Sequence, residues 1–111
     1  MVDEMNNLQL GKMYLVKELF WLLYPTKGLA GGAADGFGGH GWRLKKLTTA
    51  YETAKWESES FNCNVFVVEE NTCVVLLEVD ERCYKLLDCN GNIGWIYCWD
   101  DFSKYFELVK E

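Results

Sequence analysis

The sequence predicts a small, mostly β domain, and three observations support that prediction. Hydrophobic residues make up 50% of the 111 positions and aromatic residues 15%, enough to build a packed core. The second half of the chain alternates short apolar runs with turn residues, which is typical of antiparallel strands. The one proline and seven of the ten glycines lie between residues 25 and 41. We therefore expect one long irregular segment there and strands on both sides of it.

Residues 12–24, KMYLVKELFWLLY, predict the first strand. Their aromatic and β-branched content, the glycine before them and Pro25 after them favour a strand over a helix. Because residues 20–24 are apolar at every position, we expect either a strand that becomes buried on both faces or a long strand with a bulge at Lys17 and Glu18.

Residues 28–41, GLAGGAADGFGGHG, predict a loop without regular structure, since glycine has the largest ordering cost. The pattern changes at residue 42. Leu44, Leu47, Tyr51 and Ala54 recur at spacings of three and four, as on one face of a helix. The sequence therefore predicts one short helix, or an irregular arm, over residues 42–56, which continues into a polar segment at 57–60.

From residue 61 the chain has β character to its end. Strands are expected at residues 65–68, 73–79 and 83–88. Asn90 and Gly91 then form a two-residue hairpin signal, because both tolerate positive φ. A returning strand at 94–97, a helical turn at 99–104 capped by an aspartate, and a last strand at 105–109 complete the pattern.

The order of these C-terminal elements resembles the SH3-like antiparallel small barrel, especially its bacterial forms. The segments that carry the resemblance are residues 74–79 (VVLLEV), 83–87 (CYKLL), 92–96 (NIGWI) and 105–109 (YFELV). The resemblance implies one SH3-like domain over residues 1–111, with residues 12–24 as its first strand and residues 25–72 as an enlarged, glycine-rich loop. Such barrels bind peptides, cell-wall polymers or nucleic acid beside that loop and are rarely enzymes. In peptide-binding forms, aromatic side chains at the places of Trp95, Tyr97, Trp99 and Tyr105 line the groove.

Charge and cysteine content exclude several classes of protein. A net charge of −6 argues against non-specific binding of nucleic acid, which needs clustered basic side chains. The five cysteines contain no CxxC pair, so we expect free thiols in a reducing compartment rather than disulfides, a metal site or a redox centre. No stretch has the pattern of a signal peptide or a membrane span. The sequence therefore predicts a cytoplasmic protein without a cofactor.

The glycine-rich segment is one candidate binding site. Residues 36–41 match G-x-G-x-x-G, but the preceding strand ends eleven positions earlier, so a dinucleotide-binding fold is not expected. Consecutive glycine amides can still form an anion nest, and basic side chains follow them. The candidate phosphate-binding residues are Gly38, Gly39, His40, Arg43, Lys45 and Lys46. The alternative is that the glycines only make the segment long and flexible, and that the basic side chains after it are simply exposed to solvent.

Aromatic residues are the second candidate, because five tryptophans exceed what a small barrel core normally holds. The candidate interface residues are Trp21, Trp42, Trp56, Trp95, Tyr97 and Trp99. Self-association would use the strand at residues 20–24 or the arm at 42–56. The alternative is a packed core with an insertion pinned down by Trp42 and Trp56.

These observations predict a non-enzymatic interaction module that binds a protein partner or itself. The alternative is a binder of a nucleotide or another phosphate-bearing small molecule, of the type found among phage and mobile-element accessory proteins. Catalysis is not expected, because His40, with Cys63 or Asp35, is the one candidate pairing and a lone histidine beside glycines is typical of a solvated loop.

Overall fold

The computed structural model describes residues 8–17, 20–36, 49–98 and 101–110. Strand residues outnumber helical residues in this part of the chain, and every paired strand is antiparallel, which confirms the mostly β class. The elements are β1 (Met13–Val16), β2 (Trp21–Leu23), α1 (Lys27–Gly36), α2 (Ala50–Phe61), β3 (Phe66–Val68), β4 (Cys73–Asp80), β5 (Cys83–Leu87), β6 (Ile93–Tyr97), α3 (Phe102–Tyr105) and β7 (Phe106–Leu108).

The strands of the described residues form two sheets, which meet at one bridge. Five strands pair in the order β6-β5-β4-β1-β7, and β2 pairs with β3. Tyr24, directly after β2, exchanges two backbone hydrogen bonds with Trp95 on β6, with N···O distances of 2.9 and 2.7 Å. Neither sheet closes on itself through the strand pairs of the described residues.

β1 and β2 are consecutive parts of the strand predicted over residues 12–24. β1 pairs with β4, and β2 pairs with β3, which precedes β4 along the chain. Between the two ladders, the Val16 N–H donates to the Thr72 carbonyl at 2.9 Å and the Asn71 N–H donates to the Val16 carbonyl at 2.7 Å. β1 ends at Val16 and β2 begins at Trp21; of the predicted bulge at Lys17 and Glu18, residue 18 lies outside the described residues, as does residue 19.

β2 is buried on both faces, as predicted, because it separates two hydrophobic cores. One face supplies the inner core, which consists of Tyr14, Val16, Trp21, Leu23, Val68, Val74, Leu76, Tyr84, Leu86, Ile96, Cys98, Phe102, Tyr105 and Phe106. The other face supplies the outer core beside the two longer helices, which consists of Phe20, Leu22, Tyr24, Ala30, Ala54, Val65 and Trp95. Alternation of side chains along a strand explains how neighbouring residues reach different cores.

α1 contradicts the prediction that the glycine-rich segment lacks regular structure throughout, since Lys27–Gly36 is helical. Thr26 favours the start of the helix, because its Oγ1 accepts a hydrogen bond from the Leu29 N–H at 3.2 Å. Ala30 is fully buried in the outer core, and Gly31 lies against the ring of Tyr97. Packing onto β6 therefore overrides the low helix propensity of glycine. Residues 37–41 lie outside the described part of the chain.

α2 corrects the bounds of the helix predicted over residues 42–56. It begins at Ala50, after a capping box in which Thr49 Oγ1 accepts from the Glu52 N–H at 3.1 Å and Glu52 Oε1 accepts from the Thr49 N–H at 3.0 Å. It continues through residues 57–60 and ends at Phe61, and the C-cap residue Asn62 has a φ of 53°. Ala54 is buried as the predicted face requires, but Tyr51 is exposed.

The C-terminal strands fall where the sequence predicts them, but the β5–β6 turn differs in detail. Gly91 has a φ of 88°, whereas the φ of Asn90 is not positive. The expected two-residue turn requires positive φ at both positions, so the connection is a different kind of turn. The Gly91 N–H donates to the Asp88 carbonyl at 3.2 Å, and the Asp88 N–H donates to the Asn92 carbonyl at 2.8 Å. Before α3, Asp101 occupies the N-cap position, yet its side chain makes no capping hydrogen bond.

Asp88 stabilises this turn and provides a direct test of it. Its Oδ1 accepts from the backbone N–H groups of Asn90 and Asn92 at 2.9 and 2.8 Å, and its Oδ2 accepts from Asn92 Nδ2 at 3.1 Å. Asp88→Ala is expected to lower the free energy of unfolding by about 2 kcal/mol, because three donors lose a largely buried acceptor. Urea denaturation measures the loss, and Asp101→Ala is the control with little expected change. Equal stabilities of the two variants would contradict the role of Asp88.

Candidate functional site

The predicted phosphate-binding residues Gly38, Gly39, His40, Arg43, Lys45 and Lys46 all lie outside the described residues, as do Trp42 and Trp99. Binding of a phosphate-bearing molecule by the glycine-rich segment therefore stays a prediction. None of the helices in the described ranges is both long enough and apolar enough to cross a bilayer.

Trp21 lies in the inner core rather than at a surface. It is fully buried, and its ring centroid lies 5.2 Å from those of Tyr105 and Phe106. The strand at residues 20–24 is also paired within the chain, because β2 pairs with β3 and Tyr24 bridges to β6. The structure therefore places Trp21 in the core of the chain, and the predicted self-association through its strand stays a prediction.

Trp95 and Tyr97 pack within the chain, since α1 lies over the outer face of β5 and β6. Trp95 is 8% exposed, and its ring centroid lies 5.5 Å from Lys27 Nζ and 5.9 Å from Lys85 Nζ. Lys27 also forms an ion pair with Asp80 at the end of β4. The helix thus covers the aromatic pair that the sequence assigns to an interface.

Trp56 is the predicted interface residue that the structure places at the surface. It is 44% exposed on α2, and Tyr51 on the same helix is 61% exposed. Large aromatic side chains at the surface are frequent anchors of protein interfaces. Among the described residues, the exposed surface of α2 is therefore a candidate for an interaction site.

A groove lies beside α2, and we call it the α2–β3 groove. Its volume is about 330 Å³, and its three walls are the helix, the start of the β3 strand and the β5–β6 turn. The lining residues are Tyr51, Ala54, Lys55, Ser58, Val65, Phe66, Val67, Asn90 and Asn92. The spacing of the helical residues places them on one face of α2.

Hydrogen bonds hold α2 in place at both ends of this groove. At one end the Val65 N–H donates to Ser58 Oγ at 3.0 Å. At the other end the Tyr51 hydroxyl donates to Glu69 Oε2, and this bond raises the pKa of Tyr51. The helix and the strand therefore form a preorganised pair of walls.

The polar groups of the groove have spare binding capacity. Within the described ranges, β3 pairs with β2 on one edge, and its other edge has no strand partner. Lys55 is the only charged residue that lines the groove, and it forms no ion pair with a described residue. The side-chain amide of Asn90 makes no hydrogen bond to a described residue either. These groups can receive both a main chain and polar side chains of a ligand.

A buried polar pair lies on the inner side of α2. Glu57 is fully buried in the helix, and the Tyr24 hydroxyl donates a hydrogen bond to its Oε1. Burial raises the pKa of the Glu57 carboxyl, and burial together with Glu57 raises the pKa of Tyr24. Perturbed pairs of this kind mark functional or switching groups more often than ordinary surface carboxylates do.

Two of the five cysteines, Cys63 and Cys83, lack the features of reactive thiols. All five are free, and burial raises the pKa of Cys63 and of Cys83. A raised pKa disfavours the thiolate, which is the nucleophile and the metal ligand. Among the described residues, no group of three or more His, Cys, Asp or Glu side chains is placed to hold a metal ion.

Sequence reasoning missed the α2–β3 groove because its walls come from three separate segments. It placed Tyr51 on the buried face, since the spacing of three and four was continued from Leu44 and Leu47. The pattern T-x-x-E at Thr49 and Glu52 was the available signal for the true start of α2.

No protein-family model, no curated protein and no solved structure matches the chain.

Proposed function

We propose that the protein is a non-enzymatic interaction module built on an SH3-like barrel, and that it binds an extended segment of a partner protein in the α2–β3 groove. The order of strands and the single helical turn before β7 agree with the resemblance of the C-terminal segments. β1 pairs with both β4 and β7, and β4 has a register shift between Leu76 and Glu78. A bulge of this kind bends a strand, as the wall of a small barrel requires.

The groove is the observation on which the proposed function depends. Its volume of about 330 Å³ is at the lower end of the range for ligand-binding pockets. An unpaired strand edge beside a helix allows an extended segment to add as a further strand, with main-chain hydrogen bonds for affinity and side-chain contacts for selectivity. Val65, Phe66 and Val67 line the groove and offer apolar contacts to such a segment.

The surroundings of the groove suit a protein ligand. Tyr51 lies at the rim of the groove and is exposed on α2, so it offers an aromatic contact to a partner. Lys55 provides a cation that a carboxylate of the partner can pair with. The combination of apolar lining, strand edge and aromatic rim is typical of an interaction surface.

Selection from a linear random-peptide display library tests this function. Peptides enriched on the protein are expected to bind at least ten-fold more weakly to a Tyr51→Ala/Lys55→Glu variant, because both side chains line the groove. Lys12→Glu is the matched control, since Lys12 is exposed and lies outside the lining residues.

Chemical-shift changes upon peptide addition should include the amides of residues 65–67. Failure to enrich any peptide, or enriched peptides that bind both variants equally, would refute the proposed site. Sedimentation equilibrium of the protein alone shows whether a second copy supplies the segment, because the mass would then exceed that of the monomer.

A further inference from the structure

Glu57 is the most unusual buried side chain in the described part of the molecule. It lies in α2 with no exposed surface, where the helix packs against the end of β2. Its Oε1 accepts a hydrogen bond from the Tyr24 hydroxyl, whereas its Oε2 has no hydrogen-bond partner among the described residues. A buried carboxylate normally has several donors, because ionisation in an apolar environment is otherwise strongly unfavourable.

The groups that face Glu57 do not supply a positive charge. From the strand side the titratable group is Tyr24, and from the segment after α2 it is Cys63. The residues of α1 that pack into the same core are Leu29 and Ala30, which do not titrate. Within the described residues, Glu57 thus has one neutral donor and no cation to stabilise its ionised form.

The surroundings therefore favour the protonated carboxyl. Burial raises the pKa of Glu57 above its ordinary value of 4.5, and the hydrogen bond from Tyr24 opposes that shift only in part. Burial also raises the pKa of Tyr24 and of Cys63, so these neighbours keep their own protons. Glu57 is the group in this cluster that loses its proton first as the pH rises.

We propose that Tyr24 and Glu57 form a pH-dependent switch for the attachment of α2: the protonated carboxyl packs against Tyr24, directly after β2, and its ionisation weakens the contact of the helix with the outer core. Because α2 is one wall of the α2–β3 groove, ionisation also lowers the affinity of that groove for a partner. This second consequence rests on the proposed function, whereas the weakening of α2 does not.

The sign of the pH dependence follows from the direction of the shift. A carboxyl whose pKa is raised in the folded state binds its proton more tightly when α2 is attached than when α2 is released. Its contribution to attachment is fully present below pH 4.5 and is lost as the pH rises through the raised pKa. Between pH 4.5 and the raised pKa, the equilibrium constant for release of α2 rises up to about ten-fold per pH unit. Above the raised pKa this constant no longer changes with pH.

Native-state hydrogen exchange of the full chain, corrected for the intrinsic pH dependence of exchange, measures this release. Protection of the α2 amides is expected to fall with rising pH by up to about ten-fold per unit relative to the β4 and β5 amides. Glu57→Gln should abolish that fall, because an amide does not titrate. Glu59→Gln, an exposed change on the same helix, should keep the wild-type profile.

Tyr24→Phe provides a second variant that does not remove the carboxyl. Loss of the hydroxyl donor should raise the Glu57 pKa further, which carbon-detected NMR titration of the Glu57 carboxyl measures directly. Protection of α2 that follows the rest of the protein at every pH, or a Glu57 carboxyl that titrates at its ordinary value, would overturn the switch. If α2 protection changes but selected peptides bind equally at all pH values, the switch stands and the assignment of the groove fails.

Discussion

Gly94→Ala is expected to lower the free energy of unfolding by about 3 kcal/mol, because β2 and β6 approach too closely at this position for a side chain. A Cβ on Gly94 would lie 2.6 Å from Leu23 Cβ and 3.0 Å from the Tyr24 carbonyl oxygen. Both neighbours are fully buried, so relief of the clash requires the two strands to separate. Separation would strain the backbone bridge between Tyr24 and Trp95.

Gly32→Ala is the matched control for this prediction. Gly32 lies in α1, it is exposed, and a Cβ there would meet no atom within 4 Å. The same chemical change should therefore leave the stability unchanged or raise it by up to about 1 kcal/mol, since alanine has the higher helix propensity. Urea denaturation measures the free energy of unfolding of both variants, and their m-values should equal that of the wild type. A Gly94→Ala protein as stable as the Gly32→Ala protein would show that the two sheets are not in close contact.

Phe102→Ala is expected to lower the free energy of unfolding by about 3–5 kcal/mol, the range for large-to-small changes of a buried aromatic side chain. Phe102 is fully buried and lies at the centre of the aromatic part of the inner core. Its ring centroid lies 4.3 Å from that of Phe106, 4.5 Å from that of Tyr84 and 5.2 Å from that of Tyr14. Alanine removes all three contacts and leaves a cavity.

Two comparisons make this prediction specific to the position. Phe66→Ala changes a half-buried phenylalanine and should cost clearly less. Phe102→Leu keeps most of the volume and should recover much of the loss. Because domains of this size are stable by only about 5–15 kcal/mol, Phe102→Ala is also expected to lower the thermal midpoint by many degrees. A loss equal to that of Phe66→Ala would contradict the central place of Phe102.

The sequence predicted the C-terminal half of the fold well, because the strands and turns there are determined by residues close to one another in the chain. In β4, β5 and β6, apolar alternation and turn residues such as Gly91 determine strands and connections within a few positions of each other. The start of α2 was also visible locally, in the capping box of Thr49 and Glu52. These features need no knowledge of distant parts of the chain.

The helix α1 and the α2–β3 groove could not be predicted in this way. Glycine content argues against α1, and the helix forms because Ala30 and Leu29 contribute to the outer core. Trp95 and Tyr97 were assigned to an interface from the surplus of aromatic residues and from the resemblance, and the helix that covers them was not expected. The groove joins α2, β3 and the β5–β6 turn, and their proximity depends on the tertiary fold.

β2 has a consequence for cooperativity, since its three residues are divided between the two cores. Trp21 and Leu23 contribute to the inner core and Leu22 to the outer core, with all three fully buried. Complete loss of the outer core would expose Leu22 and Trp95 and remove packing from strands that also enclose the inner core. The helices α1 and α2 thus cannot be regarded as an appendage that unfolds completely while the rest of the described chain stays folded. We expect tryptophan fluorescence and far-UV circular dichroism to report one coincident unfolding transition for the chain.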